Sequence, residues 1–100
     1  MNANIPIDRD MLDDFCRRWQ IRELSLFGSA LRDDFGPESD LDFLVSFKPE
    51  ASWDLFDLLD MKGELETRFG RPVDLVENEA LRNPWRKYEI LRTREVIYAA

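Results

Sequence analysis

The chain has 100 residues, and its 44% hydrophobic content is typical of a globular protein with one core rather than of a disordered chain. Its 14 basic and 21 acidic residues give a net charge of −7, which argues against a protein that holds long nucleic acids through phosphate contacts. The absence of histidine excludes Ser-His and Cys-His catalysis, His-ligated zinc and histidine general bases.

The cysteine content and the N-terminal segment bear on the compartment. Cys16 is the only cysteine, so no intrachain disulfide can form, and its place on the apolar face of a predicted helix indicates a buried thiol. The first ten residues lack the basic-then-apolar pattern of a signal peptide, and no stretch approaches the length of a membrane span. We therefore expect a soluble cytoplasmic protein without a membrane partner, forming one domain over residues 1–100.

The first third of the chain predicts a helix, a strand and a second, short helix. Apolar residues recur at helical spacing over residues 8–19, where Asp8 is placed to cap the helix. A short strand is expected over residues 24–27, and it runs directly into Gly28. The following residues, 29–34, are expected to form a short helix that a Gly-Pro pair ends.

The rest of the chain continues the alternation of strands and helices. A strand over residues 40–47 precedes a longer helix, for which Ser52 is the expected cap. A strand over residues 73–77, a helix over residues 84–92 and a terminal strand over residues 96–98 follow. The apolar side of the last helix consists of Trp85, Tyr88 and Leu91. This order predicts an α/β or α+β protein with helices packed against one sheet.

Two aspartates in the strand over residues 40–47 are the first candidates for a functional site. Alternation places Asp40 and Asp42 on one face, about 7 Å apart at Cα, while Leu41 and Phe43 hold the strand to the core. Fixed carboxylates repel each other unless a cation lies between them, and Mg²⁺ prefers carboxylate oxygens, so the pair could hold one or two ions. If the strand that contains Asp74 is a neighbour, this residue joins the same face and completes a carboxylate triad.

The turn at residues 28–29 is the second half of the predicted site. Gly28 lets the backbone approach a ligand closely, and the first turn of the following helix presents free N–H groups suited to phosphate. The Ser29 hydroxyl can add a hydrogen bond, and Arg32 lies about one turn further on. Phosphate groups at one end and metal-binding carboxylates at the other indicate a nucleoside triphosphate.

Each of these features alone has an ordinary structural explanation. Two aspartates at a strand start are commonly a solvated turn, and a Gly-Ser pair is a common loop. Their combination in this order on the predicted elements favours the functional interpretation. A basic stretch near the C-terminus is most simply a solvated helix face, with partner binding or phosphate contact as the alternative. It contains Arg82, Arg86, Lys87, Arg92 and Arg94.

The spacing of these residues resembles a known signature. Gly28-Ser29, a gap of ten residues and the acidic pair Asp40-x-Asp42 resemble the DNA polymerase beta nucleotidyltransferase superfamily, in particular its minimal nucleotidyltransferases (MNT). The segments LFGS, PESDLDFLV, VDLVE and EVIYAA extend the resemblance from about Ile21 to the C-terminus. The resemblance implies a mixed β-sheet with helices packed on it, forming a single minimal nucleotidyltransferase domain over residues 1–100.

The resemblance also implies roles for the candidate residues. Asp40 and Asp42 would bind two Mg²⁺ ions, Asp74 would be the third carboxylate, and Gly28 and Ser29 would hold the triphosphate. Many members of the family act as antitoxins of HEPN-type ribonucleases, some by adenylylating a tyrosine of that toxin.

The function we expect is that of a Mg²⁺-dependent nucleotidyltransferase. It would transfer a nucleoside monophosphate, AMP from ATP, to a hydroxyl, namely a tyrosine of a HEPN toxin, and release pyrophosphate. One alternative is an antitoxin that neutralises its partner by binding alone. The other is an enzyme that modifies a small molecule, as the aminoglycoside-modifying relatives do, although these need an acceptor-binding lobe.

Overall fold

The computed structural model describes residues 7–28 and 39–100, and these residues form three α-helices and four β-strands. The elements are α1 (Arg9–Arg18), β1 (Ile21–Phe27), β2 (Leu41–Phe47), α2 (Leu55–Phe69), β3 (Val73–Glu77), α3 (Pro84–Thr93) and β4 (Glu95–Ala99). One turn of 3-10 helix, Asn78–Ala80, follows β3. No helix in the described ranges is long and apolar enough to span a membrane. The short helix predicted over residues 29–34 lies outside these ranges.

The four strands form one mixed sheet in the order β3-β2-β1-β4. β1 pairs in antiparallel orientation with both β2 and β4, whereas β2 and β3 are parallel. Parallel neighbours need a crossover connection, and α2 provides it. The expected architecture, a mixed sheet with helices packed on it, is therefore confirmed.

Strand β2 divides its apolar side chains between the two faces of the sheet. Leu41 and Phe43 are buried in the main core, where α1 and α2 contribute the opposing side chains. Leu44 points the other way and packs with Phe27 of β1 and Ile90 of α3 in a smaller cluster. The alternation predicted for this strand is confirmed, and α3 lies on the face of the sheet opposite to α1 and α2.

The start of α2 differs from the prediction, because its cap is Asp54 rather than Ser52. The Asp54 carboxylate accepts a hydrogen bond from the backbone N–H of Asp57, and the Asp57 carboxylate accepts one from the N–H of Asp54. This capping box satisfies two backbone donors and places negative charge at the positive end of the helix dipole. At α1 the predicted cap is confirmed, since Asp8 accepts a bond from the N–H of Met11.

The apolar side predicted for α3 faces away from the core. Trp85 and Tyr88 are 80% and 61% exposed, and Leu91 is also exposed, whereas Ile90 is the residue of this helix that is buried. Successive residues of an α-helix are 100° apart around its axis, so Ile90 and Trp85 lie on nearly opposite sides. When Ile90 packs on the sheet, Trp85 therefore faces solvent. The three residues share one side of α3, as the sequence indicated, but the residue that packs on the sheet lies on the other side.

Strand β1 is longer than predicted, because tertiary pairing extends it at its N-terminal end. It begins at Ile21, which is buried and pairs with Phe47 of β2. Glu23 pairs with Ala99 of β4, although a charged residue is a poor strand former. Residues that are neighbours in the sequence do not reveal these pairing partners. Both ends of β3 are as predicted, and the other predicted boundaries agree or differ by one or two residues.

The thiol of Cys16 is buried in the main core, as the sequence predicted. Burial, with a smaller contribution from the charge of Asp13, raises its pKa to about 12. A thiol that stays protonated at neutral pH is a poor nucleophile, so Cys16 contributes to packing.

A polar contact joins α1 to α2 beside the core. The Arg18 guanidinium donates hydrogen bonds to both carboxylate oxygens of Glu64 and a third to Asp14. The indole N–H of Trp19 donates to Glu64 at 3.3 Å. These bonds, and the bonds from Arg18 above all, lower the pKa of the Glu64 carboxyl below its ordinary value.

This contact predicts a pH dependence of stability. Because the pKa of Glu64 is lower in the folded than in the unfolded chain, its charged form stabilises the fold above the unfolded pKa of about 4.3. That contribution is lost as the pH falls through the folded-state pKa. In urea unfolding at pH 7, Glu64→Gln should be less stable than the parent by on the order of 1 kcal/mol. The difference should shrink below about pH 4, and a difference independent of pH would contradict the assignment.

Candidate active site

The parallel register of β2 and β3 brings two of the predicted carboxylates together. Asp42 lies directly opposite Asp74, between the buried pair Leu41–Val73 and the pair Phe43–Leu75. Asp42 is partly exposed and Asp74 is exposed. The predicted adjacency of these two strands is present, and both carboxylates project from the face of the sheet on which α3 packs.

The structure places Asp74 on a strand at the edge of the sheet. β3 is an edge strand of the sheet, so that Asp74 is accessible to water without a burial penalty. Its occurrence among apolar residues therefore follows from alternation on an edge strand. What marks it as a candidate is the register opposite Asp42, which only the fold reveals.

Gly28 lies against the Asp42 carboxylate at the end of β1. Its φ of 69° is in the left-handed region that favours glycine, and a Cβ built there would lie 2.4 Å from Oδ2 of Asp42. No side chain fits this space while Asp42 keeps its position. The sequence analysis assigned the close approach at Gly28 to a ligand phosphate, and that role stays a prediction; the group that the structure places against Gly28 is the carboxylate of Asp42.

Asp40 precedes β2 and is exposed. The residues on both sides of it are attached to the start of β3: the N–H of Leu41 donates to the carbonyl of Pro72 at 2.9 Å. Nη1 of Arg71 donates to the carbonyl of Ser39 at 3.4 Å. These bonds hold the backbone of Asp40 at the end of the sheet where β2 and β3 begin. Arg71 is not among the residues predicted from the sequence, because a single arginine before a strand matches no motif.

The other two predicted phosphate ligands, Ser29 and Arg32, lie outside the described residues. Of the predicted phosphate-binding turn, the structure places Gly28 at the same end of the sheet as Asp42.

The chemistry of the donor groups fits a hard divalent cation. Asp42 and Asp74 offer carboxylate oxygens, which Mg²⁺ prefers. In residues 7–28 and 39–100, no three acidic or cysteine side chains come close enough together to hold an ion by themselves. Mg²⁺ in nucleotide-binding enzymes is commonly held by one or two carboxylates together with phosphate oxygens and water, and the Asp42–Asp74 pair suits that arrangement.

Comparison with known proteins identifies the family. The family model of the nucleotidyltransferase domain matches residues 9–97. The chain belongs to this family. It is therefore a nucleotidyltransferase, and the resemblance drawn from Gly28, Asp40 and Asp42 is confirmed at the level of the family.

Individual relatives agree with this assignment. The chain is 35% identical over 81 residues to the protein adenylyltransferase MntA of Thermococcus cleftensis, covering 81% of this chain and 77% of the relative. A crystal structure of a toxin-antitoxin with AMP-PNP superposes with a TM-score of 0.74 at 16% identity, covering 94% of this chain and 75% of the other. The MNT antitoxin complex with a tri-AMPylated Shewanella oneidensis HEPN toxin gives a TM-score of 0.64 at 15% identity, covering 91% and 69%. These two structures share the fold of this chain.

The contact between Gly28 and Asp42 predicts that a methyl group added at position 28 lowers the free energy of unfolding. Gly70→Ala is the matched control, since Gly70 has a φ of 68° and a Cβ added there would meet open space. The left-handed backbone alone should cost Gly70→Ala about 1–2 kcal/mol of unfolding free energy. Gly28→Ala should cost about 1 kcal/mol more, roughly the penalty of forcing a side chain away from its preferred rotamer, because the Asp42 carboxylate has to move.

The additional cost should disappear when Asp42 is shortened. Urea unfolding of Gly28→Ala in the Asp42→Ala background should therefore show a penalty near that of Gly70→Ala. An undiminished penalty in that background would mean that Asp42 is not the group that excludes a side chain at position 28.

Proposed function

We propose that this chain is a protein adenylyltransferase that uses Mg²⁺ and ATP to attach AMP to a tyrosine hydroxyl of a partner HEPN toxin, thereby acting as its antitoxin. The observation that carries the proposal is the register of Asp42 opposite Asp74, beside Gly28, in a chain of the nucleotidyltransferase family. The name of the Thermococcus relative and the AMPylated toxin in the Shewanella complex support AMP as the group and a HEPN protein as the acceptor.

In the proposed reaction, the acceptor oxygen forms a bond to the α-phosphorus of ATP. The bond from that phosphorus to the oxygen bridging to the β-phosphate breaks, and pyrophosphate leaves. We assign the acceptor proton to Asp74, because it is the exposed carboxylate of the pair and the one that an incoming hydroxyl can reach. No histidine is needed for this step.

The remaining candidate residues position the nucleotide. Asp40, Asp42 and Asp74 would hold Mg²⁺, which supplies charge neutralisation at the α-phosphate and the leaving pyrophosphate. The backbone of Gly28, the Ser29 hydroxyl and the Arg32 guanidinium are assigned to the phosphate groups. The two bonds that attach residues 39 and 41 to the start of β3 fix the backbone of Asp40 at the end of the sheet where the nucleotide would bind.

The proposal predicts that replacing Asp42 abolishes AMP transfer while the protein still folds. With Mg²⁺, ATP and the HEPN toxin, the parent should add one or more AMP units to the toxin, detected by intact-protein mass spectrometry. Asp42→Asn should reduce the initial rate by about 100-fold or more, since it removes charge from the reacting centre. Asp60→Asn is the matched control, because Asp60 is an exposed aspartate of α2 on the other side of the sheet, and its rate should be unchanged.

Two outcomes would contradict the proposal. One is transfer by Asp42→Asn at the parent rate. The other is an unmodified toxin that the parent nevertheless neutralises fully in the presence of ATP and Mg²⁺, which would make the protein an antitoxin that acts by contact alone.

A further inference from the structure

The outer side of α3 is an aromatic surface that the fold leaves uncovered. Trp85 and Tyr88 project from it, and together with Pro84 they line a groove of 330 Å³. Arg92 continues this side of the helix: its guanidinium lies 6.0 Å from the centre of the Tyr88 ring and pairs with Glu89 at 2.9 Å. We call Pro84, Trp85, Tyr88 and Arg92 the α3 surface.

The composition of the α3 surface is that of a protein-binding site. Trp, Tyr and Arg are the residues most enriched among those that dominate the energy of protein interfaces. A Trp that is 80% exposed loses the favourable free energy of burial, and a partner with an apolar pocket would restore it. The Arg92 guanidinium contacts Tyr88 and Glu89, which keeps it on the aromatic side of the helix.

The position of α3 relates this surface to the candidate active site. Ile90 of α3 packs on Phe27 and Leu44, which project from the same face of the sheet as Asp42 and Asp74. In the described part of the chain, α1 and α2 pack on the opposite face. A protein that brings a hydroxyl to the two carboxylates therefore approaches on the side where α3 lies.

The charge of the segment that contains α3 indicates the charge that a partner surface should carry. Residues 82–94 contain five of the 14 basic residues and a single acidic one, although the chain as a whole carries a charge of −7. The partner surface that complements this segment is acidic.

A second group of exposed apolar residues, Leu55, Phe56 and Leu59, lies at the start of α2 beside Asp54 and Asp57, on the other side of the sheet.

We propose that the α3 surface is the docking site for the acceptor protein, which receives Trp85 and Tyr88 in an apolar pocket. The acceptor presents acidic residues to Arg92 of this surface and to Arg86, an exposed residue that follows Trp85 in the sequence. The inference rests on the proposed function, in that the acceptor is taken to be the HEPN toxin. It adds that the toxin carries acidic residues on the surface that faces α3.

The test measures toxin binding and AMP transfer separately, using the full chain. Calorimetry with the purified toxin should show that Trp85→Ala combined with Tyr88→Ala weakens binding at least tenfold. Arg86→Glu combined with Arg92→Glu should weaken it as well, and binding of the parent should decline as salt is raised. Phe56→Ala combined with Leu59→Ala is the matched control, which should bind the toxin within twofold of the parent.

A second measurement shows that the variants keep their nucleotide site. All variants should bind Mg²⁺–ATP as the parent does, and all should unfold at the temperature of the parent, because every substituted side chain on α3 is exposed. At toxin concentrations well below its dissociation constant, transfer by the Trp85–Tyr88 variant should fall in proportion to the loss of binding, while its maximal rate is kept.

Several results would overturn the inference. The first is unchanged toxin binding by the α3 variants, and the second is an equal loss of toxin binding in the α2 control. The third is that the parent binds a labelled RNA and the α3 variants do not, while these variants still bind the toxin. A parent that binds the toxin through α3 but transfers no AMP would instead refute the proposed function and leave the docking site established.

Discussion

The parallel pairing of β2 with β3 places Asp42 beside Asp74, between two apolar pairs that face the core, Leu41 with Val73 and Phe43 with Leu75. Because side chains alternate with a period of two, a slip of one residue in either strand would turn its aspartate into the core. The apolar pairs therefore enforce the register, and the register brings the carboxylates together. The helix α2, which makes the crossover between the strands, buries Leu65 against the same core and keeps this pairing in place.

The sequence predicted most of the elements, because strong periodicity and turn residues mark them locally. The alternation in β2 correctly assigned Asp42 and Leu44 to one face, and the spacing within α1 correctly placed Cys16 in the core. These patterns depend only on residues that are close in the sequence. The family signature, which joins Gly28 to Asp40 and Asp42 across ten residues, extended the prediction to the fold as a whole.

What the sequence could not predict depends on contacts between distant segments. The order of strands decides that β3 is an edge strand and that Asp74 is open to water, and no local pattern contains this order. The orientation of α3 has a similar origin, since Ile90 and Trp85 offer competing apolar sides and only the Phe27–Leu44 cluster selects one. At α2, two residues within three positions were both good caps, and the reciprocal bond from Asp57 decided in favour of Asp54.

The proposed function assigns Mg²⁺ to Asp42 and Asp74, with Asp40 beside them, and anomalous diffraction tests this central claim most directly. Crystals would be grown with Mn²⁺ and an ATP analogue that cannot be cleaved between the α- and β-phosphates. We expect an anomalous peak that contacts carboxylate oxygens of both Asp42 and Asp74, at about the 2.1 Å typical of Mg²⁺–oxygen contacts, and also contacts the nucleotide phosphates. A nucleotide bound with its metal at other residues, with neither aspartate in contact, would contradict the claim.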